Sequence, residues 1–304
     1  MTRPDWLALA PEVAEALRHS EPVVAFESTV IAHGLPRPRN LELARRIEVI
    51  AREEGCVPAT VAILGGRLHV GLAEEEITQL TIPGVAKVNL SNLPAVLATG
   101  LTGATTVAAT MLACDLAGIE VFATGGIGGV HPNAAEDFDI SADLTALSRF
   151  RVSVVSAGAK AILDLSATLQ ALETRGVPVI GFGIDEFPAF YSRTSGFAVD
   201  ARVDTPAEAA QVIAAHRANP HAGGLLLANP IPPEHALEAD EIADAIARAQ
   251  TDAAAQGIRG REVTPFLLGA IEHHTGSRSL EANIALLENN ARLAAQVAKA
   301  IAQR

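Results

Sequence analysis

The pattern of apolar and polar residues alternates between two kinds of segment along the chain. Short continuous apolar runs predict buried strands, and longer segments with apolar residues every three or four positions predict helices. Strands are expected at 22–26, 60–64, 68–72, 85–90, 119–123, 152–155, 177–182 and 224–228. Helices are expected at 40–54, from Glu74, after Ser91, at 103–117, after Lys160, from Pro206, and at 240–256, 265–274 and 279–304.

Repeated strand–helix units are typical of one fold class. They predict an α/β fold with a mainly parallel central sheet flanked by helices on both faces. Gly65 and Gly66 separate two apolar runs, which predicts a β-hairpin with a two-residue turn and so an antiparallel addition to the sheet. Because no linker-like change in composition interrupts the pattern, a single domain over residues 1–304 is expected.

Composition and charge narrow the classes of function. The chain has 304 residues, 49% of them hydrophobic, and a net charge of -12, which argues against binding nucleic-acid polymers. The only cysteines, Cys56 and Cys114, lack the spacing of a metal site and suggest a reducing compartment. The apolar tract at 99–114 is too short to span a bilayer, and the first residues lack the apolar core of a signal peptide. A cytoplasmic protein is expected.

Lys160 lies where a predicted strand gives way to a predicted helix. The strand at 152–155 is followed by the turn Ser156-Ala157-Gly158, so Lys160 is expected at the carboxyl end of a strand, where α/β sheets bind ligands. The chain has only three lysines, Lys87, Lys160 and Lys299, whereas its other basic residues are arginines. Lysine, unlike arginine, can lose its proton and form a Schiff base, and desolvation and a helix N-terminus would favour the neutral amine. The alternative is a structural lysine that reaches solvent.

Other polar residues collect at the ends of predicted strands. Glu27 follows an apolar strand and is a candidate general acid or base, or alternatively a helix-capping or loop carboxylate. Lys87 lies inside an apolar strand, where a charge needs either an ion-pair partner or an anionic ligand. The glycine-rich run 124–131 either offers backbone N–H groups to a phosphate or allows close packing. The polar segment 139–143 suits a hard cation through its carboxylates, or a helix cap through its serine.

Several segments together are similar to those of the pseudouridine-5'-phosphate glycosidase family, also called the indigoidine synthase A-like family. They are ESTVIAHGLPRPRNLE (27–42), KVNLSNL (87–93), GATTVAATM (103–111), TGGIGGVH (124–131), DISADLT (139–145), the Lys160 segment, GVPVIGFGIDEFPAFY (176–191), ANPIP (228–232), TPFLL (264–268) and SLEANIAL (279–286). These segments follow one another in order over nearly the whole chain, which makes the resemblance specific.

The resemblance implies an activity and a set of roles. The family is a group of lyases that reversibly cleave the C–C glycosidic bond of pseudouridine 5'-phosphate to uracil and ribose 5-phosphate. The resemblance implies that Lys160 is the nucleophile and Glu27 the proton donor. It also implies that Asp139 holds one Mn²⁺ ion per subunit, or another divalent cation, and that the protein forms a homotrimer. The implied substrate contacts are Lys87, the backbone region at Val107, Ser141, Ala142 and Asp143, with His131 near the phosphate and Asn283 near the base.

The chain departs from the family pattern after His131. Pro132-Asn133 stands where the family commonly has Arg-Gly, which leaves the details of the phosphate loop open. The chemistry of the bond agrees with the resemblance, because a C–C glycoside offers no leaving oxygen or nitrogen to protonate and a lysine imine provides another route. Two alternatives remain at this stage. One is a class I aldolase-like lyase acting on another phosphorylated sugar, and the other is a non-catalytic nucleotide-binding protein.

Overall fold

The fold is described from a computed structural model that covers residues 3–132, 134–258 and 263–304. Within these ranges eleven strands form one sheet. In chain order the strands are β1 (Leu7–Leu9), β2 (Val23–Phe26), β3 (Val57–Leu64), β4 (Arg67–Val70), β5 (Ala86–Val88), β6 (Gly103–Thr105), β7 (Val121–Ala123), β8 (Ser153–Ser156), β9 (Val179–Phe182), β10 (Ala201–Val203) and β11 (Leu225–Ala228).

Helices connect most of these strands. They are α1 (Pro11–Arg18), α2 (Arg39–Glu53), α3 (Glu74–Gln79), α4 (Leu93–Thr99), α5 (Val107–Ala117), α6 (Ala134–Asp137), α7 (Ala142–Arg149), α8 (Leu165–Thr174), α9 (Pro206–Arg217), α10 (Ala239–Ala255), α11 (Val263–His274) and α12 (Arg278–Ala302). A single π-helical turn, Val30–Gly34, follows β2. None of the helices in the described part of the chain is both long enough and apolar enough to cross a membrane.

The sheet is mainly parallel, as the sequence predicts. Its strand order is β1-β4-β3-β2-β7-β8-β11-β9-β10, with β6 pairing to both β3 and β5 beside this path. Strand β3 pairs antiparallel with β4 in the predicted hairpin, and antiparallel with β6. Gly65 and Gly66 both have positive φ angles, as the two-residue turn between β3 and β4 requires. The hairpin is therefore confirmed.

Helices cover the sheet on both faces. The residues of β2, β7, β8 and β11 are all buried, as expected for parallel strands between two helical layers. The long helix α12 packs against β2, β7 and β8 and also contacts α2 and α9, whereas α5 packs on β2, β3 and β7 and contacts α7. The predicted α/β class with helices flanking a mainly parallel sheet is confirmed.

The largest errors in the predicted element boundaries are at the starts of two helices. The helix expected over 103–117 begins only at Val107, because Gly103–Thr105 pairs with β3 and β5, and the Thr106 hydroxyl then caps α5. The helix expected directly at Lys160 begins at Leu165, where Asp164 accepts a hydrogen bond from the backbone N–H of Ala167 at 2.8 Å. The short strands β1 and β10 were not predicted at all.

Candidate active site

Two adjoining cavities open at the carboxyl ends of the central strands. The apolar cavity is lined in part by Val30, Phe190, Leu268 and Leu287. The polar cavity is lined in part by Asn89, Ser91, Asn92, Asp139 and Ser141. Glu27, Thr29, Lys87 and Lys160 line both cavities. The residues at which the two cavities meet therefore include three ionisable groups that the sequence singles out.

Glu27 is held in a buried environment directly after β2. Only 6% of the residue is exposed, and the Thr124 hydroxyl donates a hydrogen bond to its Oε1. Burial raises the pKa of Glu27 above its ordinary value, while the charge of Lys160 and the hydrogen bond from Thr124 act in the opposite direction. The negative charge of Asp143 adds to the increase in pKa. A carboxyl whose pKa is raised keeps its proton at higher pH, as a proton donor must.

Lys160 follows a tight turn at the end of β8. Gly158 has a φ of 81°, and a Cβ at this position would overlap the carbonyl oxygen of Pro188, so only glycine fits without rearrangement. The backbone N–H of Lys160 donates to the carbonyl of Ile127 at 3.0 Å, which ties the turn to the glycine-rich loop. Lys160 is half-buried and lies in a turn ahead of α8, so the helix N-terminus that the sequence led us to expect beside it lies elsewhere.

Lys87 is the second amine at the junction of the cavities. Burial lowers the pKa of Lys87, and the positive charge of Lys160 lowers it further, while Glu27, Asp143 and Asp139 act in the opposite direction. Lys87 therefore lies within electrostatic reach of both Glu27 and Lys160.

The glycine-rich loop is used for packing. The backbone N–H of Gly128 donates to Asp143 Oδ2 at 2.7 Å, that of Val130 to the hydroxyl of Thr168 at 2.9 Å, and that of His131 to the carbonyl of Asp139 at 3.1 Å. These amides already have partners within the protein, so this part of the loop is not an open phosphate nest. The close-packing alternative from the sequence accounts for it.

Asp143 and Ser141 begin α7 beside that loop. Asp143 is buried, and its Oδ1 accepts from the backbone N–H of Ala108 at 2.9 Å, so its carboxylate joins α5 to the glycine-rich loop. Ser141 caps α7, accepting from the N–H of Asp143 at 3.2 Å. Ser141, Ala142 and Asp143 all line the polar cavity. The capping alternative for Ser141 is therefore confirmed, and Ser141 also lines the polar cavity.

Asp139 is the candidate metal ligand. Its side chain is 42% exposed, lines the polar cavity, and lies 3.9 Å from His131, measured from Oδ2 to Nε2. Among the described residues no group of three or more His, Cys, Asp or Glu side chains is arranged to hold a metal ion. One carboxylate that faces a polar cavity fits a hard cation that takes its other ligands from water and substrate oxygens. Of the unusual pair Pro132-Asn133, Asn133 lies outside the described residues.

The remaining predicted contacts divide between the cavities and the interior. Asn283 is 8% exposed and lines the apolar cavity from α12. The side chain of Val107 is buried at the start of α5 and lines neither cavity.

His33, which the sequence did not single out, also lines the apolar cavity, and burial lowers its pKa. Its position in the π-helical turn after Glu27 could not be read from hydrophobic periodicity.

The relatives of this chain share nearly its whole length. The profile of the family described as indigoidine synthase A like protein matches residues 12–300. Proteins named pseudouridine-5'-phosphate glycosidase from Deinococcus radiodurans and Paracoccus denitrificans are 55% and 54% identical to this chain. The alignments cover 96% of this chain and 94% of the first relative, and 98% of this chain and 99% of the second.

Two solved structures share the fold. One is the prealnumycin C-glycosynthase AlnA in complex with ribulose 5-phosphate, with a TM-score of 0.91 and 38% identity over 99% of this chain and 98% of that one. The other is an indigoidine synthase A-like protein from Thermotoga maritima, with a TM-score of 0.90 and 38% identity over 99% of each chain. Sequence and structure agree that this chain belongs to the indigoidine synthase A-like family.

Proposed function

We propose that this protein is an enzyme that reversibly cleaves pseudouridine 5'-phosphate to uracil and ribose 5-phosphate. The observation that carries the proposal is the meeting of Glu27, Lys87 and Lys160 at the junction of an apolar and a polar cavity. A flat pyrimidine suits the apolar cavity, and a ribose phosphate suits the polar one. Highly identical relatives carry the name of this activity, and a structural relative is described in complex with a sugar phosphate.

The residues present supply a complete sequence of bond changes. The Lys160 amine bonds to C1' as the C1'–O4' bond breaks, and Glu27 gives its proton to O4'. The Glu27 carboxylate takes a proton from the Lys160 nitrogen, whose lone pair then forms an iminium as the C1'–C5 bond breaks, and Glu27 passes that proton to C5 of the released uracil. Water adds to the iminium, which frees the lysine and leaves ribose 5-phosphate. The raised pKa of Glu27 supports its role as the donor in the first step.

The two adjoining cavities also suggest a place for each of the other predicted contacts. Asn283 lies in the cavity assigned to the base, and His131, Ser141, Ala142 and Asp143 lie in the one assigned to the sugar phosphate. Val107 contributes through the backbone at the start of α5 instead of through its buried side chain. Lys87, which lines both cavities, is placed to contact an anionic oxygen of the substrate.

Trapping of the imine tests the role of Lys160. Borohydride added during turnover should attach a reduced ribose phosphate to Lys160, identified by peptide mass spectrometry, and Lys160→Ala should abolish both the adduct and uracil release. Lys299→Ala is the matched control, because Lys299 is an exposed lysine on α12 outside both cavities. Normal uracil release by Lys160→Ala would refute the mechanism. Retro-aldol products without uracil would instead support the aldolase-like alternative.

A divalent cation, expected to be Mn²⁺ from the family resemblance, would be held by Asp139. When bound there, it would neutralise negative charge on the substrate's oxygens. Chelator treatment and Asp139→Asn should both lower uracil release, and added Mn²⁺ should restore only the chelated native enzyme. Glu136→Gln serves as the control because Glu136 is an exposed carboxylate that does not line the polar cavity. Full activity after exhaustive chelation would contradict the cation requirement.

The predicted location and assembly also remain proposals. Cys56 and Cys114 are free and buried, which is compatible with the reducing cytoplasm expected from the sequence. The expected homotrimer would have about three times the 31.5 kDa mass of one chain. Light scattering at micromolar concentration should find that mass, and a monomer under the same conditions would contradict the prediction.

A further inference from the structure

A buried chain of hydrogen bonds lies behind the candidate active site. It begins at Glu27, whose Oε1 accepts from the Thr124 hydroxyl. Asn290, on α12, donates from Nδ2 to the carbonyls of Thr124 at 2.8 Å and Gly125 at 3.4 Å. Its Oδ1 accepts from Nδ2 of Asn229 at 2.9 Å. The side chain of Asn290 is thus engaged through both its donor and its acceptor.

The other end of this series of hydrogen bonds reaches the turn that carries Lys160. The backbone N–H of Asn229 donates to the carbonyl of Ser156 at 2.8 Å, and the Ser156 hydroxyl donates to the carbonyl of Gly158 at 2.9 Å. Lys160 follows two residues later. The side chain of Asn290 therefore connects two parts of the site. One is the end of β7, where Thr124 contacts Glu27, and the other is the ends of β11 and β8, from which the turn leads to Lys160.

We propose that Asn290 is a positioning residue that holds Glu27 and Lys160 in register for the reaction, a role that rests on the proposed function. Asn290 is 1% exposed and Asn229 is 5% exposed, so water cannot readily replace a lost partner. Aspartate lacks the N–H group that the two carbonyls need, and leucine lacks both donor and acceptor. An amide of this length satisfies all three contacts at once.

Thr124 transmits this placement to the carboxyl of Glu27. With Oε1 accepting from the Thr124 hydroxyl, the acidic proton of Glu27 is left to Oε2. The same hydrogen bond lowers the pKa of Glu27 against the effect of burial. The charged groups that face Glu27 are Lys160, Lys87 and Asp143. If Thr124 shifts, or if Lys160 moves away with its turn, the pKa of Glu27 should increase, because both contacts lower it.

The test compares two adjacent asparagines on α12. Asn290→Leu should lower kcat roughly 10- to 100-fold through misplacement of the reacting groups, with little change in KM. In the kcat–pH profile of Asn290→Leu, the alkaline limb should also move to higher pH. Asn289→Leu is the matched control, since the Asn289 side chain donates to the carbonyl of Pro230, at 3.1 Å, and lines neither cavity. It should leave both kcat and the pH profile unchanged.

Two further variants protect the test against a folding defect. Thr124→Val should reproduce the pH shift of Asn290→Leu, and Thr124→Ser, which keeps the hydroxyl, should reverse most of it. Because Thr124→Val already removes the hydrogen bond to Glu27, the double variant Thr124→Val with Asn290→Leu should shift the profile by less than the sum of the two single shifts. An additive shift would mean that Asn290 does not act through Thr124.

An infrared titration separates this proposal from the proposed reaction. The carbonyl band of protonated Glu27, identified by its loss in Glu27→Gln, should persist to higher pH in Asn290→Leu than in the native protein. An unshifted band, or the same kinetic change in Asn289→Leu, would overturn the positioning role. Absence of uracil release by the native protein would refute the proposed reaction, while the band would still decide whether Asn290 acts on Glu27.

Discussion

Burial shifts the ionisation of two residues at the junction of the cavities toward their neutral forms. It raises the pKa of Glu27 and lowers the pKa of Lys87. Such shifts are common at sites that must hold or release protons near neutral pH. They also reduce stability, because a charged group that is poorly solvated in the native state is better solvated in the unfolded chain. Activity and stability should therefore respond in opposite directions when these residues are neutralised.

Lys87→Met should make the protein more stable and less active. Because the pKa of Lys87 is lowered, the unfolded state binds more protons between the folded pKa and about 10.5, and stability rises with pH in that window. The gain in stability from Lys87→Met should be largest below this window and should disappear as pH rises through it. Loss of one charge-assisted contact should lower kcat/KM roughly 10- to 100-fold. Thermal melts from pH 7 to 10, beside uracil-release assays, measure both effects.

The matched control for Lys87 is Lys299, which is exposed. Lys299→Met should leave kcat/KM unchanged and should not produce a gain in melting temperature that fades with increasing pH. If Lys87→Met instead destabilises the protein at pH 7, a favourable ion pair and not a penalised buried charge would account for Lys87.

Two glutamates with raised pKa values, Glu27, which is buried, and Glu48, which is half-buried, allow the catalytic effect to be separated from burial itself. Burial raises the pKa of both Glu27 and Glu48, but Glu48 accepts a hydrogen bond from Thr60 and lines neither cavity. Glu27→Gln should lower kcat roughly 10²- to 10⁴-fold, as loss of a general acid does. Glu48→Gln should leave kcat unchanged. Equal losses of activity in the two variants would argue against a specific role for Glu27.

The dependence of the melting temperature on pH should show how the raised pKa of Glu48 affects stability. Its native pKa is raised, so the unfolded state loses its proton first and stability falls as pH rises from about 4.5 through the native pKa. Glu48→Gln removes this loss. The variant should therefore melt higher than the native protein at pH 8, and the difference should shrink toward pH 4.5. Melting temperatures across this range check the direction, and a constant difference would contradict it.

At the scale of elements, the glycine-rich loop shows which structural features could be predicted from the sequence and which could not. The run of glycines and the turn before Lys160 were recognisable because they interrupt apolar strands. The partners of the loop were not, since Thr168 and Asp143 come from later helices and accept hydrogen bonds from amides that a phosphate nest would need. The predicted start of α5 was wrong because Gly103–Thr105 gains its strand geometry from pairing with β3 and β5.

The close packing of that loop can be tested at one glycine. A Cβ at Gly128 would lie 2.7 Å from Ser141 Cβ and 2.8 Å from Asp143 Oδ2, so Gly128→Ala should displace the start of α7. We expect kcat/KM to fall by roughly 100-fold, since small misplacements of binding groups have effects of this size. Gly269→Ala on α11 is the control, because its Cβ would meet nothing within 4 Å among the described residues. Normal activity in Gly128→Ala would show that the loop adapts without loss.

At the scale of the whole molecule, the sequence was a better guide to the sheet than to the connections behind the site. Local patterns predicted most strands and the hairpin, whereas β1 and β10 were missed; each lies at one end of the strand order and pairs with a single neighbouring strand. Thr124 and Asn290 are 166 positions apart, and no local pattern could pair them. Lys160 and Glu27 were found because their residue types are unusual at the ends of apolar strands. The prediction of one domain over 1–304 stays a prediction.

The charge of the whole chain argues that the substrate is the free nucleotide and not pseudouridine within RNA. A net charge of -12 repels a polyanion at long range, whereas a monophosphate can approach Lys87 and Lys160 at the cavities. We expect uracil release from pseudouridine 5'-phosphate but none from a pseudouridine-containing RNA oligomer, and no RNA binding at physiological salt. Digesting the same oligomer to nucleoside 5'-monophosphates should restore uracil release. Tight, salt-sensitive binding of the intact oligomer would contradict this argument, because it would require a basic surface outside the cavities.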